Sequence, residues 1–271
     1  MKRQPIAIFD SGVGGLTVAK EVFRRLPNEE IVYLGDTARV PYGTKSPRTV
    51  VRFASECVEF LLHFRPKLVI IACNTASSVA LSHLRERVDV PIIGVVEPGA
   101  RAALAATTSK RVGVVGTRAT VRSGAYTDAL EAIDPDVEVY SDPAPLFVPL
   151  VEEGRVSGQI VEQIACDYLV PILDEGIDTL ILGCTHYPVL KPVIGVVAGS
   201  GVTLIDSAEA VTSRAERILD EEGLLSDSAG SPPRFFVTDV VDDFVEVGDV
   251  IWDPLPGTVE RVELGVASLQ E

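Results

Sequence analysis

Apolar and polar positions follow two different rhythms along the chain. Short unbroken apolar runs occur at Ile6–Phe9, Ile31–Leu34, Leu68–Ala72 and Ile92–Val96. Runs with no polar alternation predict strands covered on both faces, as in a parallel sheet. Between them, Thr17–Leu26, Thr49–Phe64 and Ser77–Val88 carry apolar residues at helical spacing, which predicts amphipathic helices. Strand and helix alternating in this way predict an α/β fold, doubly wound, with a mostly parallel sheet.

The second half repeats the plan, with strands expected at Arg111–Gly116, Val137–Tyr140, Thr179–Leu182 and Val202–Ile205. Asp10 aligns with Gly116 and Asp36 with Asp142 at an offset of 106, Cys73 with Cys184 at 111, and Val96 with Asp206 at 110. Landmarks in one order at nearly one offset predict two similar doubly wound domains, with a site in the cleft between them. After an amphipathic helix over Ala208–Glu222, the Ser-, Pro- and Gly-rich stretch Leu225–Pro233 reads as a loop and Arg234–Thr238 as a further strand. This tail has no counterpart in the repeat. It is therefore expected to complete the first domain (1–96 plus 208–271), with 97–207 inserted as the second.

Composition narrows the partners. The 271 residues carry a formal charge of -15, which repels a phosphate backbone, so nucleic acid is not an expected partner. The first apolar run is broken by Asp10, short of a signal-peptide core of about 7–15 residues. No later run approaches the roughly 18 apolar residues of a membrane helix. No membrane partner is expected, and the cytoplasm is the default location. The four cysteines, at 57, 73, 166 and 184, include no C-x-x-C pair and read as free thiols in a reducing compartment.

The setting of each thiol then matters. Cys73 follows a buried strand and precedes a helix that Asn74 or Thr75 is suited to cap. Ligands bind at that edge of open α/β sheets, and the helix dipole there is expected to lower a thiol pKa from about 8.5. Cys184 repeats the arrangement, with Pro188 suited to the first turn of a following helix. If the two edges face each other, one thiol stands on each wall of a cleft. Such a pair suits inversion at a carbon acid, one base removing a proton while the opposite acid delivers another. Cys57 and Cys166 fall on or beside apolar helical stripes and read as packing residues.

The loop Asp10–Thr17 holds three glycines but fails the dinucleotide pattern, because Thr17 stands at the third glycine position and Asp10 would repel a pyrophosphate. Asp36 is the one feature favouring NAD. The better reading is a loop that lets a small substrate approach Asp10 and Ser11. In the 35–43 loop, Pro41 offers a rigid turn, Tyr42 a phenol and Gly43 an open backbone amide. His186 is placed to orient or protonate a ligand, whereas His63 and His83 read as capping or surface residues. Cys73, Cys184 and His186 are three conceivable zinc ligands, but no tight ligand pair is present, and no metal is expected.

Together the segments FDSGVGGLTV (9–18), YLGDTARVPYG (33–43), ACNTAS (72–77), LVEEG (150–154), GCTHYP (183–188) and FFVTD (235–239) resemble the glutamate racemase family of bacterial cell-wall synthesis, within the wider aspartate/glutamate racemase group. The resemblance spans nearly the whole chain. It implies two α/β domains, no cofactor, glutamate as substrate and commonly a homodimer. It further implies that Cys73 deprotonates D-glutamate and Cys184 deprotonates L-glutamate, assisted by Asp10, His186 and Glu152. Substrate contacts implied are Asp10, Ser11, Pro41, Tyr42, Gly43, Asn74, Thr75, Thr185 and His186. The alternatives are a racemase of another acidic amino acid such as aspartate, an NAD-dependent oxidoreductase, and a noncatalytic two-lobed amino-acid-binding module.

Overall fold

The computed structural model describes residues 2–265. Strands β1 (Ile6–Asp10), β2 (Ile31–Gly35), β3 (Leu68–Ile71) and β4 (Ile92–Gly94) alternate with helices α1 (Leu16–Arg25), α2 (Pro47–Leu62), α3 (Asn74–Val79) and α4 (Leu81–Arg85). Helix α5 (Val96–Ala106) leads to β5 (Arg111–Gly116), β6 (Glu138–Pro143), β7 (Thr179–Gly183) and β8 (Thr203–Asp206). Between those strands lie α6 (Arg118–Ser123), α7 (Ala125–Glu131), α8 (Phe147–Glu152), α9 (Gln159–Leu173) and α10 (Lys191–Ala198). Helix α11 (Ser207–Glu221) then returns the chain to β9 (Arg234–Val237), α12 (Val241–Trp252) and β10 (Thr258–Arg261).

The strands form two parallel sheets, ordered β10-β9-β2-β1-β3-β4 and β6-β5-β7-β8. Within them, β2-β1-β3-β4 and β6-β5-β7-β8 are the same permutation, which is the repeat expected from the residue offsets. Each strand is apolar throughout because both its faces are covered. Ile6 and Ile8 point into a core under α1, α11 and α12, while Ala7 and Phe9 point into another under α2, α3 and α4. The second sheet is covered likewise, by α9 and α10 on one side and by α5 and α7 on the other.

The structure departs from expectation in several places. The helix expected over 77–88 is two helices, starting earlier at Asn74 and interrupted at Ala80, whose φ is -112°. The Ser78 hydroxyl donates back to the Asn74 carbonyl at 2.8 Å, an interaction that bends helices. Val95 and Val96 open α5 instead of extending β4, since Glu97 and Pro98 both suit a first helical turn. Two unanticipated elements follow the second sheet: β10 lengthens the first sheet, and α12 packs Phe244 and Ile251 into its core. Residues 266–271, assigned to the first domain on sequence grounds, lie outside the described residues.

Candidate active site

Each sheet reverses its winding at a single seam, between β1 and β3 and between β5 and β7, and ligand crevices in doubly wound folds open at such seams. The carboxyl ends at the first seam carry Asp10, Ser11 and Cys73; those at the second carry Thr117 and Cys184. Ser11, Cys73, Thr117 and Cys184 line one small cavity of about 30 Å³, room for about two waters. Asn74, Thr75, Thr185, His186, Glu152 and the Val40–Gly43 loop complete its wall. Asp10 is fully buried and does not line it, although its neighbour Ser11 does.

Cys73 is itself the cap of α3, accepting the Ala76 N–H at 3.4 Å, so neither Asn74 nor Thr75 serves that role. Its thiol donates to Ser11 Oγ at 3.4 Å. The expected lowering of its pKa is overturned. Burial first, then the charge of Asp10, pushes the thiol up to about 12, against the smaller effects of Ser11 and the Ala76 N–H. A six-residue helix offers too little dipole to offset removal from water. Asp10 accepts the Gly12 N–H at 2.9 Å and the Thr185 hydroxyl at 3.3 Å. Burial raises its pKa, opposed by His186 and these donors.

Cys184 has a different setting. A 3₁₀ turn over Tyr187–Leu190 follows it, with Pro188 in its first turn, and α10 begins only at Lys191. Its partner is His186, whose Nδ1 lies 3.8 Å from Sγ and whose Nε2 lies 3.2 Å from Glu152 Oε1. Burial works against a charge on this ring, but the bonds to Cys184 and Glu152 outweigh it and raise the pKa to about 10. His186 is thus an imidazolium at neutral pH. Glu153 points to solvent, which separates it from Glu152.

The other candidates sort by what their polar atoms already hold. The Tyr42 hydroxyl is turned away from the cavity, donating to Asp36 Oδ2 at 2.5 Å, so Tyr42 meets the cavity without it. Asp36 is buried and bound by Arg39 Nε at 2.6 Å and Thr238 Oγ1 at 3.0 Å, which leaves it no ribose to hold. Cys57 packs in the core within 3.6 Å of Arg39, as a packing residue should. His63 ends α2 exposed, and His83 lies in α4 bonded to Arg87. Among the described residues no three His, Cys, Asp or Glu side chains gather in a way that could hold a metal ion.

Close packing joins the two edges. A Cβ on Gly14 would lie 2.4 Å from both His186 Nδ1 and Thr185 Oγ1, and one on Gly43 would lie 2.8 Å from Thr117 Cβ. Thr75 Oγ1 meets Thr117 Oγ1 at 2.9 Å and Thr120 Oγ1 at 3.3 Å. Thr17 donates to the Thr185 carbonyl at 3.1 Å.

Residues 15–215 match the family model Asp/Glu/Hydantoin racemase. The chain belongs to this racemase family. It is 50% identical to the glutamate racemase of Geobacter metallireducens, over 97% of this chain and 98% of that one. The glutamate racemase of Neisseria meningitidis is 44% identical over the same share of each. A crystal structure of a Bacillus anthracis glutamate racemase isoform superposes with a TM-score of 0.93 at 41% identity, covering 97% of this chain and 99% of that chain. One of the Francisella tularensis glutamate racemase, in complex with D-glutamate, gives 0.91 at 41%, covering 97% and 98%.

Within this racemase fold, sequence reasoning missed Thr117, Thr120 and Tyr126. The offset of 106 that pairs Asp10 with Gly116 also pairs Ser11 with Thr117, a signal that was present in the repeat. Among the described residues no helix is long and apolar enough to cross a membrane.

Proposed function

We propose that this racemase interconverts L- and D-glutamate without a cofactor, moving the α-proton between Cys73 and Cys184. The reading rests on one observation: the two cysteines line the same cavity from different sheets. One sulfur, as thiolate, takes the α-proton. The electron pair stays on Cα and spreads into the α-carboxylate, while the opposite thiol delivers its proton to the other face. The enzyme ends with its two sulfurs exchanged in protonation.

Cys73, pushed up to about 12, rests as the proton donor. The His186 imidazolium offers the Cys184 sulfur a counter-charge, and Glu152 keeps that imidazole charged. In the L-to-D direction Cys184 takes the α-proton, and Cys73, held as a thiol, delivers one to the opposite face. In the reverse direction Asp10 serves Cys73, because a thiolate of higher pKa is the stronger base. Carbanion formation next to a carboxylate concentrates negative charge, which preorganised donors in a water-poor site offset. Asn74 carries one such donor, and Ser11, Thr75, Thr185 and the backbone N–H groups of Tyr42 and Gly43 offer others.

The cavity is too small for any amino acid, so the lobes, read as 1–96 with 208–271 and as 97–207, must part to admit one. The same reading extends to a cytoplasmic homodimer that supplies D-glutamate for peptidoglycan. Polarimetry without added cofactor tests the substrate. L-Glutamate is expected to lose rotation at least ~100-fold faster than L-aspartate, and equal or inverted rates would sink the assignment.

A further inference from the structure

Tyr126 on α7 is buried, its ring closely bounded: a Cβ on Gly183 would lie 3.2 Å from it and one on Gly99 3.3 Å. Its hydroxyl donates to Asn74 Oδ1 at 2.6 Å, from a helix of the second sheet to one of the first. Ser207 Oγ stands farther off, at 3.5 Å, and gives its own proton to the Leu182 carbonyl at 3.1 Å. The Tyr126 proton therefore goes to Asn74, and the amide oxygen of Asn74 faces the second lobe. That leaves the amide nitrogen. Asn74 Nδ2 is buried and has no hydrogen-bond partner, while Asn74 lines the cavity between Cys73 and Thr75. A buried N–H without an acceptor is costly, and its retention at a cavity wall points to a ligand oxygen that completes it.

We infer that Tyr126 is a positioning residue that fixes the Asn74 amide so that Nδ2 donates to a carboxylate oxygen of the substrate. Because Tyr126 and Asn74 belong to different sheets, the amide is fixed only when the lobes are together. An open site thus holds the carboxylate loosely and a closed one holds it in register. The inference rests on the racemase reading proposed above.

The test is a double-mutant cycle on kcat/KM with Tyr126→Phe, which keeps the ring and removes only the hydroxyl, and Asn74→Ala. Tyr126→Phe alone is expected to lower kcat/KM about tenfold, the scale of a hydrogen bond to a charged group. On the Asn74→Ala background it is expected to cost less than about twofold. A merely structural tyrosine would lower kcat/KM equally on both backgrounds, and that result overturns the inference. Asn74→Asp keeps an acceptor for Tyr126 but replaces the free donor with an anionic oxygen. A loss of about 100-fold or more is expected, and unchanged kcat/KM would show that the donor serves no carboxylate. A wild-type chain that racemises glutamate while Tyr126→Phe and Asn74→Asp match it refutes this inference alone; a wild-type chain that leaves glutamate unchanged refutes the racemase reading with it.

Discussion

Alanine at position 14 tests how tightly the glycine loop after β1 sets the catalytic geometry across the cleft. An added Cβ would lie 2.4 Å from His186 Nδ1 and from Thr185 Oγ1, whereas ordinary contact begins at 3.4 Å. The side chains must therefore retreat by about 1 Å. Neither has an easy way to do so, since His186 is held by Glu152 and the Thr185 hydroxyl by Asp10. The backbone itself tolerates alanine, because Gly14 does not use the left-handed region. A 1 Å misplacement at a reacting centre costs on the order of 10²-fold, about 2.7 kcal/mol of transition-state stabilisation. The assay is racemisation of each enantiomer followed by circular dichroism, with a thermal melt to verify folding. Enantiomers have equal free energy, so kcat/KM must fall equally in both directions. Gly195→Ala, whose Cβ would meet nothing nearer than 3.8 Å, is the control and should leave kcat/KM unchanged. Gly14→Ala retaining more than about a third of wild-type kcat/KM would refute the geometric argument.

Two further outcomes follow from the polar contacts. Glu152→Gln removes one of the two partners that raise the pKa of His186 to about 10, so the alkaline limb of the pH–rate profile should move to lower pH. An unmoved limb would exclude Glu152 from this role. A folded-state pKa near 10 against an ordinary 6.5 also means that the His186 charge contributes stability fully present below pH 6.5 and lost as pH rises to about 10. The Tm gap between wild type and Glu152→Gln should accordingly close above that pH. Tyr42→Phe deletes a buried hydrogen bond to Asp36 while leaving the cavity wall in place. It should destabilise the fold by about 1 kcal/mol and hold kcat/KM within about threefold; a much larger kinetic loss would show that the hydroxyl serves the substrate after all.

Much of this architecture was legible because a parallel sheet writes itself as unbroken apolar runs. The repeat then located Cys73 and Cys184 at equivalent edges, and the matched strand orders explain why the offsets agree. What escaped depends on three-dimensional context. The direction of the Tyr42 hydroxyl is set by Asp36 and by Arg39, neither of which marks itself as a partner in sequence. The state of the Cys73 thiol is decided by burial beside Asp10, and the helix dipole visible from sequence is the weaker effect. Helix α12 mixes Asp242, Asp243 and Asp249 with an apolar face around Phe244 and Ile251, and β10 is a largely exposed edge strand, so neither carries the pattern of a buried element. Tyr126 is informative only once Asn74 is seen across the cleft from it.

The central claim, proton transfer between two thiols on opposite walls, is tested most directly in heavy water. The wild-type chain, incubated with L-glutamate, is expected to lose optical rotation as solvent deuterium enters the α-carbon of the product. Cys73→Ala and Cys184→Ala, each verified as folded, are expected to abolish racemisation. Racemisation at the wild-type rate by either variant would contradict the two-thiol account.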